Sequence, residues 1–411
     1  MRPPPAYSLS PRERVGVRAA SRQDLPPPRP NHCTMTRRQR ITALLAHQVP
    51  DQVPKHLRFT PGLFAIFRER TGSDDPETYY DLELTYTLPP AAQPPPAPAR
   101  ELFAPYHVAL PPGAYLSPFG VAHLPGSFHH FTRLAHPLAQ VTQVGELARY
   151  PWPLYLDSPQ APLPPAAEGS EAWPTFRAVP PGTTLGELVR QLQGRDRFVV
   201  GAGGSIFEVA WQMRGMEQLF ADWAEAPALA EALLDHVTEA WLPGVRGLAR
   251  AGCDMLRIVD DVGTQRGMMM SPAAWRRWLR PRLARLIEAA RAINPAVRIQ
   301  YHSDGSILPI IADLVELGVD LLDPVQPECM DPALVKTRWG HRLCLFGTMG
   351  TQSVLPFGTP DQVRSAVRER IATAGQGGGL IIAPTHVLEP DVPWANVEAF
   401  LQAVQEYGRY Q

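Results

Sequence analysis

From Phe198 onward the chain repeats one unit, an apolar run of strand length followed by an amphipathic stretch of helical period. The runs fall at 198–202, 255–259, 298–301, 321–325, 343–346 and 380–383, with helical stretches such as 228–249, 272–293, 308–317 and 360–374 between them. Repeated strand–helix units of this kind argue for a parallel sheet covered by helices. Ala251-Gly252-Cys253-Asp254 and Leu317-Gly318-Val319-Asp320 echo each other, each stopping a helix on glycine and launching a strand. Six strands are visible in this way. Residues 53–59 supply a first, and one more is left to the proline-rich middle. No glycine-rich dinucleotide fingerprint opens any unit, which weakens an open doubly wound sheet. The expected fold is a (β/α)8 TIM-type barrel over residues 35–411, a size such barrels reach with insertions.

Two regions break the repeat. Residues 1–34 combine proline and arginine with almost no large apolar side chains, so they read as a disordered extension. Met35 is the natural beginning: Thr36 and Gln39 are spaced as a helix cap and first turn, with Ile41, Leu44 and Leu45 following at helical spacing. Residues of about 85–185 hold much of the proline excess (47 Pro against 31 Gly) and read as an insertion that walls the pocket or forms a dimer surface. Its pieces 118–123 and 127–131 read as hairpins. A formal net charge of −1 gives no field to hold nucleic acid or anionic lipid. No apolar run approaches the ~20 residues of a membrane span. Four cysteines without paired spacing favour a reducing compartment, the cytoplasm.

Function is carried by position. Each apolar run ends on its C-terminal side in ionisable or hydrogen-bonding groups: Asp260 and Asp261, His302 to Asp304, Asp323 and Gln326, His386 and Glu389. In a parallel barrel these ends converge on one mouth. His302 and Asp304 are two residues apart and share a face. With His386 they make an acceptable set for Zn²⁺ or Fe²⁺, or else they bind substrate carboxylates or transfer protons. Asp304 or Ser306 could equally cap the helix that begins near Ile307. Asp260, Asp261 and Glu208 are candidate proton carriers, and Arg257, Asp323 and Gln326 candidate substrate contacts. Arg214 and Arg266 are weaker candidates for clamping an anion.

The run His386-Val387-Leu388-Glu389-Pro390-Asp391-Val392-Pro393-Trp394-Ala395-Asn396-Val397 resembles the C-terminal signature of the uroporphyrinogen decarboxylase superfamily. Phe346-Gly347-Thr348, followed by Leu355, Gly358-Thr359-Pro360 and Val363, resembles its preceding strand and helix. The opening 37–54, with His47-Gln48-Val49-Pro50-Asp51-Gln52-Val53-Pro54, resembles the methyltransferase-like branch. The resemblance spans 35–411 and implies a barrel enzyme with His386 at its active site. Two departures matter. Phe59-Thr60-Pro61-Gly62 stands where decarboxylases carry an arginine motif for substrate carboxylates. Asp304 and His386 stand where the branch's corrinoid-dependent methyltransferases have zinc-binding cysteines, while His302 matches their histidine. The resemblance thus implies methyl transfer between a small molecule and a thiol or a corrinoid protein, the corrinoid being the methyl carrier on that partner. A cofactor-free decarboxylase is the alternative, and a non-catalytic corrinoid- or porphyrin-binding protein a third reading.

Overall fold

The computed structural model describes residues 35–88, 97–124, 133–163 and 182–410, so the expected extension 1–34 and the hairpin piece 127–131 lie outside the described residues. Strand β1 (Leu84–Thr87) comes first, followed by a small antiparallel sheet of β2 (Tyr115–Leu116), β3 (Ala122–Leu124) and β4 (Arg133–Ala135). The repeat then gives β5 (Phe198–Ala202), β6 (Met255–Val259), β7 (Arg298–His302), β8 (Leu321–Val325), β9 (Cys344–Met349) and β10 (Leu380–Pro384). These six and β1 form one seven-stranded parallel sheet in the order β1-β5-β6-β7-β8-β9-β10. Every residue of β8, β9 and β10 is buried, as strands covered on both faces require.

The sheet curls. Leu84 and Tyr86 from one edge share an inner apolar cluster with Ile381 and Ala383 from the other, and with Ile41, Leu44 and Leu45 of helix Arg37–Leu45. That helix begins as its sequence directs: Thr36 and Gln39 cap each other reciprocally. Residues 53–59, expected as a strand, lie parallel to β10 in isolated bridges at Lys55–Ile382 and Phe59–Leu388. Backbone bonds from Ile382 to Pro54 (2.9 Å) and from Leu388 to Arg58 (2.8 Å) hold them there. The expected strand of the middle region is β1, four residues long and placed just before the proline-rich stretch.

The expected helix at 228–249 runs Pro227–Arg250. The one expected at 272–293 is two, Pro272–Trp278 and Arg280–Arg291. Pro281 explains the break, since it has no N–H to donate and its ring would clash with the preceding turn of a continuous helix. Within the middle region Tyr155 stacks on Trp241 of the long helix (4.8 Å, 12°) and Phe119 tilts against the same ring (5.5 Å). Gly204, just past β5, has room for no side chain beneath Trp241, so the insertion is fastened beside the C-terminal ends of the strands. Among the described residues no helix is long and apolar enough to cross a membrane.

Candidate functional site

Parallel register brings the polar strand ends to one level. Val259 pairs with His302, and His302 with Asp323. The loops after β6 and β7 then fold onto each other. A Cβ on Gly263 would meet the carbonyl oxygen of Asp304 at 2.5 Å, and one on Gly305 (φ 81°) would meet Gly263 at 2.6 Å. Only glycine allows that approach at a positive φ. The contact lets Asp304 N–H donate to Asp261 Oδ1 (2.8 Å) and Val262 N–H to Ser303 Oγ (3.0 Å). Gln326, a candidate substrate contact, is buried and accepts the N–H of Gly305 on its side-chain oxygen, pinning the same loop from β8.

Asp261, His302 and Asp304 thereby come together, each offering one ligand atom within 4.8 Å of the others. His302 Nε2 lies 3.7 Å from Asp261 and 4.0 Å from Asp304, and His386 Nε2 lies 3.9 Å from the other Asp304 oxygen. These gaps are too long for hydrogen bonds. Asp261, His302 and Asp304 are the residues that would hold a cation here, with His386 beside them. Asp304 Oδ1 is buried without a hydrogen-bond partner, an acceptor of the kind a cation satisfies. Asp304 does not cap the following 3-10 turn, which has no side-chain cap. Burial and the nearby Asp261 raise its pKa to about 6, with His302 pulling the other way.

The proposed proton carriers divide. Asp260 is 2% exposed and its Oδ1 accepts from Ser205 Oγ (3.0 Å) and from the N–H groups of Ile206, Phe207 and Glu208 (2.9, 2.6 and 3.2 Å). It caps helix Phe207–Arg214; burial raises its pKa to about 7 against the pull of those donors. Glu208, in the first turn of that helix, is pushed up to about 8 by burial and then by Asp261 and Asp260. It therefore carries a proton at neutral pH beside the cluster.

Asp323 is also 2% exposed, and one of its oxygens serves three neighbours: Arg257 Nε (2.9 Å), Gln300 Nε2 (2.8 Å) and His302 Nδ1 (3.0 Å). The histidine approaches obliquely, off the line of a straight hydrogen bond. Burial alone would raise the Asp323 pKa; His302 and Arg257 outweigh it and hold the carboxyl far below the usual carboxylate range. Of the weaker arginine candidates, Arg214 is buried in an ion pair with Asp222 (2.6 Å), and Arg266 is exposed.

Two residues near this network went unnoticed in the sequence. Arg58 lies over the Tyr86 ring (5.3 Å) and has no hydrogen-bond or ion-pair partner among the described residues. Its pKa is lowered by burial and by Arg257. His56 is buried between Tyr86 and Phe346 with neither ring nitrogen bonded, and burial takes it down to about 3. The available signal was the two-residue alternation of an extended segment, which sets His56 and Arg58 on one face.

A family model described as uroporphyrinogen decarboxylase (URO-D) matches residues 179–407. The methylcobamide:CoM methyltransferase MtaA of Methanosarcina barkeri is 26% identical over 222 residues, covering 54% of this chain and 62% of that protein. The uroporphyrinogen decarboxylase of Actinobacillus succinogenes is 26% identical over 232 residues, with the same two coverages, 54% and 62%. The chain thus spans less than two thirds of the length of these relatives. A methyltransferase from Methanosarcina mazei shares the fold at a TM-score of 0.56 and 20% identity, over 91% of this chain and 99% of that one. The family match takes in more than half of the chain and every strand that supplies the cluster. This chain therefore belongs to the uroporphyrinogen decarboxylase family, with the methyltransferase-like branch among its relatives.

Proposed function

We propose that this protein is a metal-assisted methyltransferase that moves a methyl group between a small molecule and a thiol or a corrinoid protein. The sheet would close as a (β/α)8 barrel, with residues 53–59 as the eighth strand. Residues 35–411 would be one unit carrying the insertion at about 85–185 and working in the cytoplasm. The observation that carries the reading is the cluster of Asp261, His302 and Asp304 at adjacent strand ends, with a buried, unsatisfied Asp304 oxygen. His386 stands near enough to Asp304 to join it. Two carboxylates and one or two imidazoles form a harder donor set than the cysteine sites of the branch it resembles, and suit Zn²⁺ or Fe²⁺. An ion there would supply Lewis acidity and favour a thiol's ionised form at neutral pH. The protein's own groups do the rest: Glu208 holds a proton to give, and Arg58 offers positive charge to an anionic substrate.

Elemental analysis tests the reading, paired with methyl transfer from methylcobalamin to a small thiol. About one equivalent of metal, lost in His302→Ala together with the activity, supports it. No metal in the native protein sinks it. Arg58 favours a second reading, decarboxylation of a carboxylated substrate, because a half-buried guanidinium with no ion-pair partner among the described residues calls for an anion. That activity would survive chelation and fail in Arg58→Met.

A further inference from the structure

We infer that Asp323 is a positioning residue that fixes the tautomer of His302, holding the ring proton on Nδ1 so that Nε2 faces the cluster as a bare acceptor. The argument is geometric. His302 and Asp323 are register partners on adjacent parallel strands, so the imidazole and the carboxylate stand side by side with no intervening loop. His302 Nδ1 is 3.0 Å from Asp323 Oδ2, and the opposite ring nitrogen faces Asp261 and Asp304 at 3.7 and 4.0 Å. A carboxylate beside one imidazole nitrogen keeps the proton there, which leaves the lone pair on the other. Arg257 from β6 and Gln300 from β7, two residues before His302, donate to the same Asp323 oxygen at 2.9 and 2.8 Å. They stop the carboxylate from turning away. Asp323 is thus occupied by protein donors and acts on the mouth through His302 and Arg257 rather than by touching substrate.

The tautomer does not depend on any metal. Its consequence, a ligand prepared before the ion arrives, rests on the proposed metal reading. A carboxylate that holds a metal-ligating histidine by its other ring nitrogen is worth roughly 10–100-fold in metal affinity.

The first readout is long-range ¹⁵N–¹H NMR of the metal-free protein at a pH where the imidazole is neutral, with His302 assigned by loss of its signals in His302→Gln. Bare Nε2 and protonated Nδ1 are expected. In Asp323→Asn the side-chain amide can donate to Nδ1, so the proton should move to Nε2, and Zn²⁺ affinity measured by calorimetry should fall roughly 10–100-fold. An Asp323→Asn/Arg257→Gln double variant removes both buried charges and gives a second folded background for the same readouts. Native protein with the proton on Nε2 would overturn the proposal, whichever variants fold. So would variants that lose thermal stability while keeping the native tautomer, since a merely structural role predicts that. The expected tautomers with no Zn²⁺ bound by any form would uphold the positioning and defeat the metal reading alone.

Discussion

The two sides of the strand-end mouth are built from opposite charges under opposite constraints. Asp260, Asp261, Asp304 and Glu208 crowd the β6–β7 side, where burial, joined at Asp304 and Glu208 by neighbouring carboxylates, raises three of the four carboxyls to between about 6 and 8. Arg257 of β6, held by Asp323 of β8, and Arg58 of segment 53–59, with no hydrogen-bond or ion-pair partner among the described residues, make the basic group beside it. On the acidic side burial favours the protonated, uncharged carboxyls, and a cation would favour the ionised forms. The basic side splits into one arginine neutralised by the protein and one left for something else.

The largest effect should come from breaking the neutralised half. Arg257→Met leaves Asp323 buried without its arginine partner, and removing one partner of a buried pair typically costs about 3–5 kcal/mol. Chemical denaturation should show that loss, and Arg257→Met/Asp323→Asn should regain much of it. A loss below about 1 kcal/mol for the single variant would mean that the pair is open to water. Next comes the loop contact that assembles the acidic half. Gly305→Ala forces a side chain into a left-handed position and onto the Gly263–Thr264 backbone, so it should cost roughly 2 kcal/mol. It should also weaken Zn²⁺ binding, because Asp261 and Asp304 can no longer be held together. Unchanged affinity would show that the loops are not what assembles the cluster.

The two halves also differ in how far the sequence revealed them. Strands β5 to β10 were legible because short, mostly apolar runs alternate with helical stretches, and most of the carboxylates were legible because they follow those runs directly. The grouping of Asp261, rather than His386, most closely with His302 and Asp304 was not. It depends on two glycines from different units touching, a tertiary contact with no local period. Strand β1 escaped because Leu84–Thr87 is too short to show an alternation. Arg58 escaped because residues 53–59 were weighed against a motif they lack and not for the face on which their own charges fall. Pro281 was visible in the sequence, yet the helical period on both sides of it hid the break.

The unpaired half is sharpened by Arg58→Met, which keeps the length of the stem and removes the charge. Losing one charge-assisted contact to an anionic substrate should raise KM about 10-fold, with kcat changed less. Stability should hold or rise, because a poorly compensated buried charge is removed. The opposite pattern, an unchanged KM and a less stable protein, would make Arg58 a structural residue whose Tyr86 contact matters for folding.

The smallest expected effect lies on the acidic side and is a matter of sign. Glu208 in the folded, metal-free protein titrates near 8, against an ordinary 4.5, with burial the leading cause and the charges of Asp261 and Asp260 next. Between those two values the folded state holds a proton that the unfolded chain has released, so the stabilisation is complete below about 4.5 and is lost as pH rises through about 8. Glu208→Gln cannot titrate, so its stability profile should be flatter across that window by on the order of 1 kcal/mol once solvent screening is allowed for. Denaturation of the metal-free proteins at pH 5.5 and 8.5 measures the difference. Adding Zn²⁺ should shrink it, because a cation beside Asp261 offsets part of the negative charge that keeps Glu208 protonated. If Zn²⁺ leaves the difference unchanged, Glu208 is governed by burial alone and is electrostatically separate from the cluster.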